Sequence, residues 1–487
     1  MGRTSFPRSI LAAVILVVLS YLLCGFGAAG TADAAVRKAP YLIYSGVNTE
    51  MRVQWQTTVS EACTIEWGTD TGYSLGSAVT AEYGLDHQHA FTIADLVPGA
   101  LYYYRVIVGG SEYAGSFRAA PSGGATDVKF IAYGDTRSYP ADHDKVAARM
   151  MAHCAADPDL GTFVLSVGDL VYNGDNEADW DAQFFSASYP NIRHLLADLP
   201  YSSCRGNHEQ TAAGFAKYFP YPCVAGRYWS FDYGPAHFTV IDQYTPYGTG
   251  SEQLAWIEAD LSGTQKPWKF VCLHEPGWSA GGGHPNNASV QTYLEPLFES
   301  QGVAMVFGGH NHYYARASVN GVEHLTVGGG GAPLHTPVLT YPYVVTATRA
   351  YSHCEIEIEG GTLKLEAYTF ADSLIDSLTI VLPEASVPSG GSVETGGILI
   401  DAVSPNPLTE GSVVSFFLPA AGRVEAAVYD LGGRRVADLG AAVNPAGRHE
   451  VWWDGRDSSG RQVAPGVYLM RFETQRGDAA RKIVVLR

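Results

Sequence analysis

The sequence predicts a multidomain protein in which a central α/β domain lies between two β-rich domains. Four apolar runs of strand length occupy the middle of the chain, with helical segments between them, which is the pattern of buried parallel strands. Segments 51–56 and 63–67 alternate apolar and polar residues with period two, which indicates half-buried strands. The segment 384–397 is rich in Gly, Ser and Pro, so it is predicted to be a flexible linker.

The four apolar runs end at side chains that can bind metal ions. The residues in question are Asp135, Asp169, His274 and His310. Because ligands collect beyond the carboxyl ends of parallel strands, four such ends predict one site. Each motif is weak alone: a single Asp here could be a turn carboxylate or a helix N-cap, and His274 could be a buried core histidine.

Five short motifs supply a complete set of donors. They are Gly-Asp-Thr-Arg at 134–137, Gly-Asp-Leu-Val-Tyr at 168–172, Gly-Asn-His-Glu at 206–209, Val-Cys-Leu-His at 271–274 and Gly-His-Asn-His at 309–312. The candidate metal ligands are Asp135, Asp169, Tyr172, Asn207, His274, His310 and His312. One transition metal takes roughly four to six ligands, so this set fits two ions that share a bridging carboxylate. Two metal ions about 3.5–4 Å apart are a recurrent device for hydrolysing phosphate esters.

Together these motifs resemble the calcineurin-like metallophosphoesterase superfamily, and within it the purple acid phosphatases, over residues of about 125–385. The resemblance implies an α/β metallophosphoesterase sandwich, with two mixed sheets packed face to face and flanked by helices. It assigns terminal ligands to two ions: Asp135, Tyr172 and His312 to the first, and Asn207, His274 and His310 to the second, with Asp169 as the bridge.

The first motif departs from the pattern that it resembles. It ends in Arg137, where purple acid phosphatases usually carry Gly and many other superfamily members carry a ligating His. The first ion then needs another donor, and Tyr172 lies where purple acid phosphatases place a tyrosinate that suits Fe(III). The alternative is that Tyr172 is an ordinary aromatic side chain beside the site. The expected cofactors are two divalent or trivalent transition-metal ions, iron together with zinc, manganese or iron.

The resemblance also implies two catalytic residues, His208 and His284, and Arg137 is a third candidate at the position that departs from the pattern. His208 follows the ligand Asn207 and is expected to contact phosphate and assist the leaving alkoxide. His284 lies in a Gly-rich loop ten residues after His274, where purple acid phosphatases carry substrate-facing histidines. Arg137 is expected either to clamp a phosphate oxygen bidentately or to form a surface ion pair.

The expected function is that of a binuclear acid-phosphatase-type phosphomonoesterase, in which a metal-activated hydroxide attacks phosphorus in line. A phosphodiesterase or nucleotide pyrophosphatase on the same site is the alternative within this class. A cell-surface binding protein with a relict catalytic domain is the alternative of another class, and the intact ligand set argues against it. The resemblance implies a small phosphate ester as the substrate. A net charge of −18 argues against nucleic-acid binding through a basic surface. The oligomeric state stays open.

The N-terminal segments indicate export. Residues 1–34 are predicted to be a signal peptide, because Arg3 and Arg8 precede an apolar stretch at 10–23 that is short for a membrane span. An uncleaved anchor is the alternative; either way we expect a secreted or cell-surface protein, of bacterial type.

Residues 36–121 resemble the fibronectin type III domain that precedes the catalytic domain of large purple acid phosphatases, through Leu-Val-Pro-Gly-Ala-Leu-Tyr at 96–102.

The C-terminal segments complete the expected domain order. The catalytic domain is predicted over 125–383, the linker over 384–397 and an immunoglobulin-like domain over 398–487. The motifs Val-Trp-Trp-Asp-Gly at 451–455 and Gly-Val-Tyr-Leu-Met-Arg at 466–471 resemble the small immunoglobulin-like domain of flagellar hook-capping proteins. Similar domains act as type IX secretion sorting signals, which implies the secretion machinery or cell-surface attachment as a partner.

Three further expectations concern the central domain. Helices are predicted near 141–156, 177–198, 252–262 and 289–301. Cys204 and Cys223 are the preferred disulfide pair, with buried free thiols as the alternative. The four-glycine run at 328–331 either forms a tight turn or lets the backbone approach the site.

Overall fold

The computed structural model divides into two compact units, Met1–Pro388 and Ser389–Arg487. It describes residues 36–382 and most of 399–485, where 405–407, 409–410, 419–420, 431–432, 446 and 475–476 are not described. The predicted signal peptide at 1–34 and the predicted linker at 384–397 lie outside the described residues. Within the described part of the chain, no helix is long and apolar enough to cross a membrane.

The N-terminal domain is a sandwich of two antiparallel sheets, with strand orders β1-β2-β5 and β4-β3-β6-β7. The strands are β1 Val36–Ile43, β2 Met51–Thr57, β3 Cys63–Gly68, β4 Gly76–Thr80, β5 Gln88–Ile93, β6 Leu101–Val108 and β7 Ser111–Arg118. Strand β6 shows the period-two pattern, because Tyr102, Tyr104 and Val106 are buried while alternate residues face outward. The predicted N-terminal β-sandwich is therefore present.

A buried lysine joins this sandwich to the central domain. Lys38 is fully buried on β1, and its Nζ donates to Gln56 Oε1 at 2.7 Å, to Glu177 Oε1 at 2.6 Å and to Asp181 Oδ1 at 2.6 Å. A buried ammonium needs such partners, because transfer of an unpaired charge from water is very costly. The two domains thus share one interface within the first unit.

The central domain contains two mixed sheets, with strand orders β10-β9-β8-β18-β19-β20 and β11-β12-β13-β14-β16-β15-β17. The strands are β8 Asp127–Tyr133, β9 Val164–Ser166, β10 Tyr201–Ser203, β11 Trp229–Tyr233, β12 Ala236–Val240, β13 Trp268–Cys272, β14 Met305–Gly308, β15 Tyr314–Val319, β16 Val322–Val327, β17 Val344–Thr348, β18 Ser352–Glu359, β19 Thr362–Thr369 and β20 Leu374–Val381. The expected architecture of two mixed sheets is confirmed.

The sheets pack face to face through aromatic side chains. The ring of Phe130 on β8 lies 5.2 Å from that of Phe238 on β12 and 5.7 Å from that of Phe270 on β13, in edge-to-face arrangements. Strands β8, β9 and β10 run parallel in one sheet, and β12, β13 and β14 run parallel in the other. Two of the predicted ligand-bearing strands therefore belong to each sheet, and their carboxyl ends meet where the two sheets adjoin.

The helices lie at Pro140–Ala156, Glu177–Asp179, Pro190–Asp198, Ala213–Tyr218, Glu252–Gly263 and Glu295–Gln301, with π-helical turns at Trp180–Phe184 and Val290–Leu294 and a 3₁₀ turn at Asn207–Glu209. The prediction of one helix over 177–198 was wrong, because the chain leaves the helix after Phe184 and a new one starts at Pro190. Proline lacks the N–H that a helix interior needs but suits a first helical turn.

Two other expectations are settled by packing. Each of the six described cysteines is a free thiol, so the expected pair of Cys204 and Cys223 is not formed. Cys204 is buried against Cys272, whereas Cys223 is only partly buried.

The glycine run at 328–331 brings the backbone close to the predicted site rather than forming a plain turn. A Cβ on Gly328 would lie 2.7 Å from Asp135 Oδ2, and one on Gly330 would lie 2.3 Å from the carbonyl oxygen of Gly134.

The C-terminal unit is a second β-sandwich, with strand orders β21-β22-β25 and β24-β23-β26-β27. The strands are β21 Leu399–Ser404, β22 Ser412–Leu418, β23 Gly422–Asp430, β24 Arg435–Asn444, β25 Gly447–Trp453, β26 Gly466–Thr474 and β27 Gly477–Val485. Its core includes Trp453, Met470 and Phe472, all essentially inaccessible to solvent. The tail motifs noted in the sequence thus supply core residues of this unit.

Candidate metal centre

The predicted ligands lie at the ends of strands, and three of them adopt a left-handed backbone. Asp135, Asp169 and His310 have φ angles of 54°, 56° and 63°. Such angles are uncommon outside glycine and store strain, which persists only where the surroundings impose it and which collects at functional sites. Each of the three lies two or three residues beyond the end of its strand, where the chain turns.

Two carboxylates occupy the centre of this cluster. Asp135 is fully buried, and its two oxygens share a bifurcated hydrogen bond from the His310 N–H at 3.1 Å each. Asp169 is 1% exposed and accepts a hydrogen bond of 2.9 Å from the His208 N–H. Glycines make room for both: a Cβ on Gly309 would lie 2.2 Å from Asp135 Oδ2, and one on Gly206 would lie 2.2 Å from Asp169 Oδ1. The glycines of these motifs are therefore a steric requirement of the site.

His274 and His312 are both held with Nε2 directed at the carboxylates. His274 donates from Nδ1 to the Val167 carbonyl at 2.7 Å, so that Nε2 lies 3.4 Å from Asp169 Oδ1 and 3.1 Å from Asn207 Oδ1. His312 donates from Nδ1 to the Pro333 carbonyl at 2.7 Å, which leaves Nε2 3.5 Å from Asp135 Oδ1. A second hydrogen bond of this kind fixes tautomer and ring orientation in metal-binding histidines.

The pKa values differ among these groups for identifiable reasons. Burial raises the pKa of the Asp135 carboxyl well above its usual range. Burial also opposes ionisation of Asp169, but the neighbouring His274 and His208 outweigh it and hold its pKa below the usual range. Burial, with contributions from His335 and Arg137, lowers the pKa of His312 to about 3, so its lone pair is free across the physiological range.

His274 is the exception among the histidines. Burial alone would lower its pKa, but the carboxylates of Asp169 and Asp135 outweigh burial and raise it to about 10. A metal ligand must be deprotonated, so binding of an ion here would release the His274 proton.

Glu209 has a positioning role that the sequence reasoning missed. It is fully buried, and its carboxylate accepts hydrogen bonds from the N–H groups of Asp169 at 3.0 Å, Leu170 at 2.8 Å and Gly206 at 2.6 Å. These bonds tie the loop that carries Asn207 to the loop that carries Asp169. Its place at the end of the Gly-Asn-His-Glu motif was the available signal.

Arg137 lies inside the cluster rather than on the surface. Its Nε donates to Asp169 Oδ2 at 3.2 Å, and its Nη2 lies 3.3 Å from His312 Nε2. The side chain is only 11% exposed. The expected alternative of a surface ion pair is therefore wrong, because the partner carboxylate is a buried one.

Tyr172 is the predicted ligand that the structure does not bring into the cluster. Its side chain is 57% exposed, and its ring lies 5.4 Å from the His208 ring at 45°. The Tyr172 N–H donates to Gln183 Oε1 at 2.9 Å, which fixes the loop with the side chain outward. Its role as a phenolate ligand stays a prediction of the sequence.

The predicted catalytic histidines lie beside the cluster. His208 donates from Nδ1 to the Tyr172 carbonyl, and its Nε2 lies 4.0 Å from Asp169 Oδ2. The His284 ring stacks on the His310 ring with centroids 3.8 Å apart. Asn311 fixes the His284 loop, since its Oδ1 accepts from the His284 N–H at 2.7 Å and its Nδ2 donates to the His284 carbonyl at 3.1 Å.

His335 completes a ring of histidines and was missed by the sequence reasoning. Its ring stacks on that of His312 at 4.0 Å and meets the His284 ring edge-on at 5.4 Å. No metal-binding motif marks this residue; its position shortly after the glycine run at 328–331 was the one available signal.

The donor set fits transition-metal ions. Buried carboxylate oxygens and imidazole nitrogens suit iron, zinc and manganese. Ligand atoms of Asp135, Asp169 and His274 lie within 4.8 Å of one another. The two oxygens of Asp169 face different neighbours: Oδ1 faces His274, and Oδ2 faces Arg137. The two oxygens of Asp169 therefore face opposite sides of the cluster.

Comparison with known protein families identifies the family of the domain that contains this cluster. Residues 128–314 match the calcineurin-like phosphoesterase model. The central domain is a calcineurin-like phosphoesterase domain. Residues 38–120 match the purple acid phosphatase N-terminal domain, and residues 406–478 match the FlgD Ig-like domain, so all three resemblances seen in the sequence are confirmed. The phosphoesterase family consists of hydrolases that use a dinuclear metal centre.

Relatives of this phosphoesterase domain include purple acid phosphatase 21 of Arabidopsis thaliana, 28% identical over 50% of this chain and 58% of that protein. Acid phosphatase type 7 of Homo sapiens is 26% identical over 70% of this chain and 90% of that protein. A solved purple acid phosphatase from yellow lupin seeds superposes with a TM-score of 0.61 at 19% identity, over 72% of this chain and 75% of that one. This last similarity shows the fold alone.

Proposed function

We propose that this protein is an exported, metal-dependent phosphomonoesterase of the acid phosphatase type, with a site for two metal ions. The observation that carries the proposal is that buried carboxylates converge with an amide and two imidazoles. His274 Nε2 lies 3.1 Å from Asn207 Oδ1 and 3.4 Å from Asp169 Oδ1, and His312 Nε2 lies 3.5 Å from Asp135 Oδ1. Similarity to acid phosphatases of plants and animals supports the choice of reaction.

The residues of the chain divide the work. Asp135 and His312 would hold a first ion, Asn207, His274 and His310 a second, and Asp169 would contribute one oxygen to each. Bound ions would supply a hydroxide nucleophile at neutral pH and stabilise charge that develops on the phosphoryl oxygens.

The surrounding side chains act on substrate. Because His208 donates from Nδ1 to a backbone carbonyl, its Nε2 is free to face the ester and to hold the proton that the leaving oxygen needs. His284 and His335 border the same space and would exclude water around the bound phosphate. Deprotonation of the nucleophile requires no separate general base.

Hydrolysis of p-nitrophenyl phosphate against bis(p-nitrophenyl) phosphate tests the proposal. We expect the monoester to be the better substrate, and Asp169→Asn to abolish turnover because a bridging oxygen is lost. Asp70→Asn is the matched control, since Asp70 lies in an exposed turn of the N-terminal domain. Preferential cleavage of the diester would replace the monoesterase with the phosphodiesterase alternative. Absence of hydrolysis of either ester by metal-loaded protein would favour the relict-domain alternative.

Export is the second part of the proposal. The sequence of residues 1–34 and the FlgD-like match at 406–478 support secretion followed by attachment or sorting through the C-terminal domain. Removal of everything after residue 390 should leave phosphatase activity intact, because the division into compact units falls at Pro388 and Ser389. Fractionation of cells that express both forms measures the sorting role: a truncated chain that reaches the same location as the full chain would contradict it.

A further inference from the structure

The guanidinium of Arg137 contacts the same atoms that a first metal ion requires. Its Nε lies 3.2 Å from Asp169 Oδ2 and its Nη2 lies 3.3 Å from His312 Nε2. Because His312 donates from Nδ1 to the Pro333 carbonyl, the lone pair on its Nε2 accepts the hydrogen bond from Arg137. That lone pair is also the one that would bind a metal ion.

The second side of the cluster has no such competitor among the described contacts. Asp169 Oδ1 faces His274 Nε2 at 3.4 Å, and His274 Nε2 faces Asn207 Oδ1 at 3.1 Å. The arginine therefore makes the two sides of a bridging carboxylate inequivalent. One oxygen pairs with a cationic side chain that is not a proposed ligand, and the other faces His274, which is itself a proposed ligand.

We propose that Arg137 is a built-in cation that competes with the first metal ion for Asp169 Oδ2 and His312 Nε2. The second site then fills first, and the first site fills only when the Arg137 side chain turns away. This inference rests on the proposed two-ion site and ranks the affinities of its two halves.

Three physical reasons support the ranking. A guanidinium has hydrogen-bond donors but no lone pair, so it can occupy the site of an ion but cannot become a ligand of that ion. Two cations within bonding distance of the same carboxylate oxygen repel each other strongly in a buried site. Arg137 also gains a hydrogen bond of 3.2 Å from Nη1 to Ser138 Oγ, which an entering ion would disturb.

The backbone at Arg137 can stay in place while the side chain moves. Its N–H donates to the Asp169 carbonyl at 3.2 Å, and the next N–H, of Ser138, donates to Gln183 Oε1 at 2.9 Å. Displacement therefore concerns the side chain, and a substitution that shortens or neutralises it should leave the loop that carries Asp135 and Arg137 intact.

Titration of metal-stripped full-length protein with Mn²⁺ tests the proposal, with bound ion measured by isothermal calorimetry and elemental analysis. We expect wild-type protein to bind one ion tightly and a second at least tenfold more weakly. Arg137→Gln should strengthen the weaker site at least tenfold. Arg137→Lys, which keeps the charge without the forked donor geometry, should fall between them. Lys145→Gln is the control, since Lys145 is an exposed cation paired with Asp142.

Electron paramagnetic resonance gives an independent measure, because two neighbouring Mn²⁺ ions give an exchange-coupled signal. That signal should appear at lower Mn²⁺ concentration in Arg137→Gln than in wild type. Equal affinities of the two sites in wild type, or an unchanged weaker site in Arg137→Gln, would overturn the proposal. Neither measurement needs turnover, so a protein that binds ions as expected but hydrolyses no ester would contradict the proposed function and leave this inference standing.

Discussion

His335 and His312 hold each other by two hydrogen bonds and a ring stack. The His335 N–H donates to the His312 carbonyl at 3.0 Å, the His312 N–H donates to His335 Nδ1 at 3.2 Å, and the ring centroids are 4.0 Å apart. His312 is a predicted ligand of the first ion, and His335 is thus a residue that positions a ligand.

We expect His335→Ala to weaken metal binding at the first site by 10- to 100-fold, the usual effect of losing a group that orients a ligand. His335→Asn should retain most of the affinity, because an amide oxygen can accept the hydrogen bond from the His312 N–H. Equilibrium dialysis against Mn²⁺ measures the difference. Equal affinity in wild type and His335→Ala would show that the stack does not orient His312.

His208→Ala should keep both metal ions but lower turnover by roughly 10²–10⁴-fold, the usual contribution of acid–base catalysis. Its Nε2 lies 4.0 Å from the nearest carboxylate oxygen, which places it beside the cluster rather than in it. His194→Ala is the control, since His194 is 57% exposed and pairs with Asp198 on a helix. Loss of metal in His208→Ala would assign this histidine to the ligands instead.

Tyr172→Phe tests whether Tyr172 is a phenolate ligand, as the sequence predicts, or an exposed side chain outside the cluster, as the structure shows. A phenolate bound to Fe(III) would give a visible charge-transfer band that this substitution abolishes. Because the Tyr172 side chain is 57% exposed and packs beside His208, we expect Tyr172→Phe to retain metal content and turnover within about twofold. Visible absorption and elemental analysis of iron-loaded protein decide between the two outcomes. A coloured wild type and a colourless variant would support the phenolate.

The free energy of unfolding of the first unit should depend on pH through His237, which lies on β12 of the second sheet. Burial alone would lower its pKa, but hydrogen bonds with Asp232 at 2.7 Å and Asp260 at 3.0 Å outweigh burial and raise it to about 9. A raised pKa stabilises the folded chain fully below the unfolded value of about 6.5, and this stabilisation is lost as pH rises through about 9.

Substitution of His237 by Gln should therefore lower the thermal midpoint of the first unit more at pH 6 than at pH 9.5. The loss at pH 6 should correspond to about 3 kcal/mol from the rise in the His237 pKa. Differential scanning calorimetry at the two pH values measures the contrast. Equal losses at both would mean that packing, rather than charge, accounts for the effect of the substitution.

Local patterns predicted much of the site. Each of four predicted ligands follows an apolar run: Asp135, Asp169, His274 and His310. A buried strand and its direction can be recognised from such a short segment, so the sequence could predict that these four strand ends lie together. The breaks in the helix predicted over 177–198 were harder to predict from the sequence. The helix start at Pro190 was a local signal, but the preceding π-turn at Trp180–Phe184 depends on packing.

The sequence by itself determined the order of the three matched domains, the family of the central domain and most of the side chains that meet in the cluster of carboxylates and histidines. These follow from spacing along the chain, which does not depend on distant contacts. The tertiary structure decided that two sheets share the ligands, that Arg137 faces inward, that Tyr172 faces outward and that His335 supports His312. Such orientations are set by residues far apart in sequence, such as Arg137 and His312, because side-chain direction depends on which hydrogen-bond partners folding brings within about 3 Å.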